Sequence, residues 1–367
     1  MAIYLWLIAF ILGASPLQKQ YKKIYLTLCL FFIWILIAFR SYFIGNDTLT
    51  YVGSFSALAN TSLSTYGNNF FSILFSKNRF EYGYVVLNKI IYFFSKNPRW
   101  LLIVSATIIV ILLGYILYKY CEDSSLALII FVTMGFMSGS MSQIRQYIAW
   151  AICIFSIKYI IKNNFVKYLI TIIIAMLFHI SAVIFFPLYW ISKLKFNFLK
   201  CFSFSIIVMP IFIYFTQFSN LVGSIISSYD NYDGQIANNG TTGYLSITIN
   251  LITFILLLLL AVYLYKNQNI LNNQIINLSL WMLFCGCLVM ILSYKFSQFT
   301  RLSTYFTCAI MFLFPNGLNQ LKSTELKNIV KILLISFMIL YFVIINTLKP
   351  LWTCIVPYHF MTSWWGY

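Results

Sequence analysis

Apolar runs recur along almost the whole chain, at approximately residues 2–14, 24–39, 100–118, 124–139, 144–161, 166–178, 180–192, 201–219, 245–265, 274–294, 299–314 and 328–346. Short polar stretches divide them. Each run reads as a helical membrane segment, because a helix satisfies its own backbone hydrogen bonds in hydrocarbon and an open strand does not. Several fall short of the about 20 residues that a full crossing needs, so these are expected to tilt, distort or break. The expected architecture is an all-α polytopic membrane protein, one integral-membrane domain over residues 1–367, with about 12 transmembrane helices, some short or broken, and an extracytoplasmic-facing cavity. Residues 82–95 are too short and too polar for a span. They read as an interfacial or re-entrant helix within an extracytoplasmic loop over 41–99, and a second such loop covers 220–244.

Composition agrees with the pattern. With 62% hydrophobic and 8% charged residues and a mean hydropathy of +0.88, the chain is no soluble globular domain, in which about a quarter of residues are charged. The net charge of +17 would suggest nucleic acid in a soluble protein. Here most of the excess lies in the short stretches between apolar runs, which is the mark of topology, and no nucleic-acid partner is expected. Placing Lys19, Lys22, Lys23, Lys119, Lys158, Lys162, Lys167, Lys193, Lys195, Lys200, Lys266, Lys322, Lys327 and Lys331 in the cytoplasm collects 14 of the 24 basic residues. The arrangement requires both termini outside, twelve crossings and a reversal of the chain at His179. A single crossing over 166–192 would instead leave Lys193, Lys195 and Lys200 outside.

The eight cysteines lie mostly inside apolar runs, and Cys285-Gly-Cys287 lacks the second pair of a zinc site. Neither a disulfide framework nor a metal or other cofactor is expected. No basic residue precedes the first apolar run, which therefore reads as a retained span rather than a cleaved signal.

The same topology gathers the unusual residues on one face: Arg40, Asp47, Glu81, Arg145, His179, Asp230, Asp233, Lys295 and Arg301 fall at or near extracytoplasmic ends of spans. Arg145 opens an apolar helix. A cation there either snorkels to the interface or faces a water-filled site, and the small residues Ser138, Gly139, Ser140 and Ser142 leave room beside it for a ligand or another backbone. The turn Arg40…Gly45-Asn-Asp47 offers a cation and a carboxylate, or merely a capped turn in which Asp47 accepts backbone N–H bonds. His179 places an imidazole in an apolar stretch where desolvation favours the neutral form, able to take a proton; the structural alternative is a histidine bonded to a backbone carbonyl in a kink. Arg301 and Tyr305 sit one helical turn apart. Three arginines and a histidine on one side of a bundle suit a lipid phosphate or diphosphate, because guanidinium forks bind phosphate oxygens bidentately and stay charged. The Asn-, Tyr-, Asp- and Gly-rich loop at 220–244 suits a hydroxyl-rich ligand and equally suits any solvated loop.

Five motifs in order, Arg40…Gly45-Asn-Asp47-Thr48…Tyr51, Glu81-Tyr-Gly-Tyr84…Leu87-Asn88, Ile144-Arg145-Gln146…Ala149, His179-Ile-Ser-Ala182 and Arg301…Tyr305-Phe306, resemble the EpsG-like family of bacterial polysaccharide polymerases, the Wzy type, over roughly 36–310. The resemblance implies a multi-pass glycosyltransferase of the bacterial inner membrane with its site facing outward. Its donor and acceptor would be oligosaccharide repeat units on undecaprenyl diphosphate, joined for O-antigen, capsule or exopolysaccharide. A flippase and a chain-length regulator of the same pathway would be its partners. In this reading His179 is the first choice for the base, with Asp47 and Glu81 next. Arg40, Arg145, Gln146, Arg301 and Tyr305 bind substrate and stabilise the departing diphosphate. Two other classes fit less of the pattern. A flippase or exporter of the same lipid-linked glycan would use cationic cavity residues and broken helices equally, but no duplicated half is visible and the polar residues keep to one face. A membrane acyltransferase would use His179 but lacks a second catalytic residue near it.

Overall fold

The lysine-rich stretches turn out to be the ends of helices, and the turns between them set the whole arrangement. The computed structural model describes residues 1–76, 78–214, 241–266 and 273–361. Helix makes up 79% of the structure, and no strand occurs among the described residues. In chain order the helices are α1 (Ala2–Gly13), α2 (Gln18–Ala38), α3 (Thr48–Asn60), α4 (Phe70–Leu74), α5 (Tyr82–Phe94), α6 (Arg99–Tyr120), α7 (Ser124–Thr133), α8 (Phe136–Ser142), α9 (Ile144–Ile161), α10 (Phe165–Phe178) and α11 (Leu188–Ile191). They continue with α12 (Phe198–Ile213), α13 (Thr241–Lys266), α14 (Gln274–Leu292), α15 (Phe299–Thr307), α16 (Ile310–Asn319), α17 (Thr324–Leu348) and α18 (Pro350–Thr353). Short 3-10 turns cover Ser15–Leu17, Leu63–Tyr66 and Ile180–Phe185.

Six described stretches are long and apolar enough to cross a membrane, seven if the bent pair α7–α8 counts as one. The first of them, Ala2–Ala38, is not a single rod. Trp6 and Phe10 pack on Phe32 with ring centroids 5.2 and 4.8 Å apart, and the Tyr25 hydroxyl donates to Ile11 O at 3.1 Å. In one straight helix, at 1.5 Å per residue, Trp6 and Phe32 would stand roughly 39 Å apart. The chain therefore folds back around Ser15–Leu17, and α1 and α2 lie antiparallel. The further crossings expected from the sequence would have to come from such hairpins and from the shorter apolar helices at Phe165–Phe178, Ile180–Ile191 and Phe198–Pro210.

A second reversal falls at His179, whose extended backbone (φ −157°, ψ 120°) ends α10. Phe165 at the start of α10 meets Trp190 at the end of the return, centroids 5.2 Å apart, and the Tyr168 hydroxyl donates to Phe185 O at 2.5 Å. The broken form of 166–192 is thus the one adopted, and Lys193 and Lys195 return to the end that carries Lys158, Lys162 and Lys167.

All ten residues of α7 are buried, and α9 packs beside it through Trp150, which stacks on Phe131 and Phe136 and donates from Nε1 to Thr304 O at 3.2 Å. A wholly buried helix such as α7 needs no amphipathic stripe, since every face meets protein. At the lysine-rich end the bundle is tied by backbone-directed polar groups. Lys22 Nζ donates to Tyr118 O and Cys121 O, Lys331 pairs with Asp123, and Asn316 bonds both Glu122 N and Tyr120 O. Five helices that start at this end, α7, α10, α12, α14 and α17, each carry a side-chain cap, from Asp123, Asn164, Asn197, Asn273 and Ser323. The opposite end is built differently.

Candidate functional site

Helices α3, α5, α9 and α15 begin at that opposite end, and none has a side-chain hydrogen bond at its N-cap. Asp47 and Glu81 occupy N-cap positions of α3 and α5, but their carboxylates turn to other partners. The sequence reading of Asp47 as a capping group is corrected accordingly: its Oδ2 lies 3.0 Å from Arg301 Nη1. Arg145 is the second residue of α9, Arg301 the third of α15, and His179 precedes the 3-10 turn at Ile180. Five polar side chains from distant parts of the sequence thus meet where helix starts converge, a setting with partial positive charge that favours anions.

The residues form two ion-paired groups. In the first, Glu81 Oε2 accepts from Arg145 Nη1 at 2.5 Å, Oε1 lies 2.9 Å from His179 Nδ1, and the Ile180 N–H points at Oε1 at 3.3 Å. The Nδ1 contact is short but off the line of a ring N–H, so it is an electrostatic contact rather than an aligned hydrogen bond. Burial alone would raise the Glu81 carboxyl, but Arg145 and then His179 outweigh it and hold the group down at about 2. Arg145 also donates to Arg79 O at 3.0 Å and lies against the rings of Phe80, Tyr51 and Tyr84. A guanidinium fixed in this way, its side chain only 17% exposed, is not snorkelling.

In the second group Asp47 and Arg301 are more open, at 29% and 39% side-chain exposure. Gln146 joins the two groups: its Nε2 donates to Arg301 O at 2.5 Å, and its own carbonyl accepts from the Tyr305 hydroxyl at 3.5 Å. Tyr305 is fully buried and shares a 3.1 Å hydrogen bond with Ser181. Gln146 and Tyr305 therefore hold α9, α15 and the turn after His179 in register instead of facing a ligand.

Arg40 does not join them. Only 1% exposed, it spends Nε on Ile44 O, Nη1 on Ile37 O and Nη2 on Thr48 Oγ1 and, at 2.5 Å, Met141 O. The expectation that Arg40 touches diphosphate is corrected: it clamps backbone. It fixes the loop that delivers Asp47 against the C-terminal end of α8, two residues before α9 begins. Gly45 makes this approach possible, with φ +87° and so little space that a Cβ would meet Met141 O at 2.7 Å. The C-terminal segment completes the clamp through Ser41 N–H to His359 O and Gly45 N–H to Cys354 O.

Two arginines missed by motif reading belong here. Arg99, fully buried, donates from Nη1 to Arg40 O at 2.5 Å and lies over the Tyr42 ring, 4.1 Å from its centroid. Arg79 supplies the carbonyl that Arg145 uses. The signal was available: the chain has only five arginines, and all five stand at this end, while the lysines concentrate at the other. Of the remaining expectations, Asp230, Asp233 and residues 220–240 of the second loop lie outside the described residues, and 241–244 belong to α13.

Beside Arg301 a cavity of about 220 Å³ opens between α7, α8, α9, α13, α14, α15, α17 and α18. Its wall includes the bend between α7 and α8, a 53° break at Gly135 (φ +86°), and the small residues Ser138, Gly139 and Ser142. A broken helix inside a membrane segment is tolerated where it lines a cavity.

A family model for the EpsG family matches residues 23–360. This extent takes in every group of the site and the C-terminal segment that braces Arg40. No curated protein and no solved structure matches the chain.

Proposed function

Because the chain belongs to the EpsG family, whose members are polysaccharide polymerase-like membrane proteins, we propose that it is a glycosyltransferase joining oligosaccharide repeat units carried on undecaprenyl diphosphate. The reaction would take place on the extracytoplasmic face of the bacterial inner membrane, for O-antigen, capsule or exopolysaccharide. The lysine-rich end is then the cytoplasmic one, by the positive-inside rule.

The observation that carries the reading is the Glu81 carboxylate set between Arg145 and His179. The negative charge 2.9 Å from Nδ1 favours, by Coulomb attraction rather than by an aligned hydrogen bond, the neutral tautomer with its proton on that nitrogen, and the lone pair then falls on Nε2. Nε2 takes the proton of the acceptor hydroxyl as its oxygen forms a bond to the donor's anomeric carbon. The bond from that carbon to the diphosphate oxygen breaks, and its electron pair leaves with undecaprenyl diphosphate. Arg145 and Arg301 each commit one nitrogen to a carboxylate, which fixes the plane of the fork. Their other N–H groups, with the uncapped starts of α9 and α15, are the donors for the departing charge. Asp47 orients Arg301, and Glu81 orients both His179 and Arg145.

The test is to incubate purified protein with one lipid-diphosphate repeat unit and resolve the products on a gel. A ladder of longer glycans supports the reading. Transport of the unit across a vesicle membrane without a ladder would favour the exporter, the alternative to which the bent pair α7–α8 lends support.

A further inference from the structure

The cavity beside Arg301 has a chemistry unlike that of the ion-paired groups. Arg301 is the single charged residue in its wall, and Asp47 already pairs with it at 3.0 Å. The rest is hydroxyls, carboxamides and rings, with Met134, Met290 and Ile345 between them. Two carboxamides stand out because they interrupt the apolar helices α13 and α17. Asn250 Oδ1 accepts from the Tyr341 hydroxyl at 2.7 Å, and Asn346 Oδ1 accepts from Thr353 Oγ1 at 2.6 Å. Each also donates from Nδ2 to its own helix, Asn250 to Ser246 O and Asn346 to Phe342 O, both at 2.8 Å. A carboxamide oxygen has two lone pairs and a phenol oxygen keeps its lone pairs while donating, so both pairs retain acceptors for a ligand. Polar residues inside membrane helices are costly, and their usual role is functional. Trp352 and Tyr147 add aromatic surface to the same wall.

We propose that this cavity seats an uncharged sugar of the lipid-linked glycan, with Arg301 marking the border between sugar and diphosphate. The proposal rests on the polymerase reading and adds to it the class of sugar. Hydroxyl and N-acetyl groups match neutral donors and acceptors over an aromatic wall. A carboxylated sugar would need a cation of its own, and the one in this wall, Arg301, gives Nη1 to Asp47 and, in the polymerase reading, its remaining N–H groups to the diphosphate. Ordinary glue between helices would account for the Asn250 and Tyr341 bond, but not for polar residues drawn from seven helices around 220 Å³ of space. That volume is more than ten times what one water requires.

The test uses the full chain in lipid nanodiscs and saturation-transfer NMR, with N,N′-diacetylchitobiose and maltose as neutral probes and glucuronic acid as the charged one. At least one neutral probe is expected to receive saturation, and glucuronic acid at equal concentration none. Tyr341→Phe, which removes a single oxygen, and Asn346→Leu, which keeps the volume, should each weaken the neutral probe about fivefold, the loss of one ordinary hydrogen bond. Thermal melts of both variants confirm that they fold. Equal binding of glucuronic acid, no binding of either neutral probe, or binding unchanged in two folded variants would each overturn the proposal. The polymerase reading fails separately, by the absence of a glycan ladder, so a ladder without probe binding removes only the sugar seat.

Discussion

Glu81 holds His179 at Nδ1, with Oε1 2.9 Å away, while its other oxygen takes Arg145 at 2.5 Å. One carboxylate therefore fixes both the proposed base and a proposed diphosphate donor, and its loss should disturb two functions at once.

Glu81→Gln is expected to lower turnover and to alter stability against pH. The carboxyl is depressed from its ordinary 4.5 to about 2 in the folded protein, so it binds a proton less readily folded than unfolded. Its contribution to stability is complete above pH 4.5 and is lost as pH falls toward 2. Melting of the purified protein across this range should fall more steeply for the native chain than for Glu81→Gln, and the Gln variant should already melt lower at pH 7. Parallel melting curves would show that the ion pair contributes nothing.

Arg145 and Arg40 separate function from structure. Arg145→Lys keeps the charge, but Arg145 spends a single nitrogen, Nη1, on both Glu81 and Arg79 O, and lysine lacks the rest of the planar fork that the mechanism turns to the diphosphate, so polymerisation should drop by an order of magnitude or more with folding intact. Arg40→Lys cannot replace three directed nitrogens in a buried clamp. That variant should lose yield and melting temperature along with activity, because backbone carbonyls are left unpaired. Equal melting temperatures for the two variants would put Arg40 back in the site.

The reversal at His179 was legible because lysine positions on either side demand it. The room expected beside Arg145 lies elsewhere: Ser138, Gly139 and Ser142 do line a cavity, but Arg301 stands in its wall and Arg145 does not. The fate of Arg40 was not legible, because Met141 O, about a hundred positions away in sequence, decides it. Asp47 reads as a cap in any local window, and only Arg301, from the far end of the chain, draws it off. Asn250 and Asn346 escaped notice because a hydropathy average over a span hides single polar residues. The crossings are ambiguous for a related reason: an apolar run shows that a segment avoids water, while its length does not show whether it crosses alone or as half of a hairpin.

The assignment of faces predicts labelling. In a background lacking the partly exposed Cys285 and Cys354, a cysteine introduced at Thr61, near the site, should react with an impermeant maleimide in spheroplasts. One at Asn163, in the turn between α9 and α10, should react only after lysis. The reverse result would place the site in the cytoplasm, where no outward-facing polymerisation can occur.

His179 is decisive for the mechanism. His179→Gln keeps a polar group of similar reach beside Glu81 but cannot accept the acceptor's proton, and loss of a general base costs about 10²–10⁴-fold in rate. Since Arg145 and Arg301 are untouched, binding of the lipid-diphosphate donor should persist, so kcat falls while donor affinity stays near that of the native chain. A structural histidine would behave in the opposite way: the break between α10 and the 3-10 turn would shift, Ser181 would lose its contact with Tyr305, and binding, melting temperature and rate would decline together. If His179→Gln polymerises at the native rate, the base lies elsewhere. Asp47→Asn is then the variant to measure next, because Glu81 is committed to Arg145, His179 and the Ile180 N–H while Asp47 is committed to Arg301 and is the more exposed carboxylate.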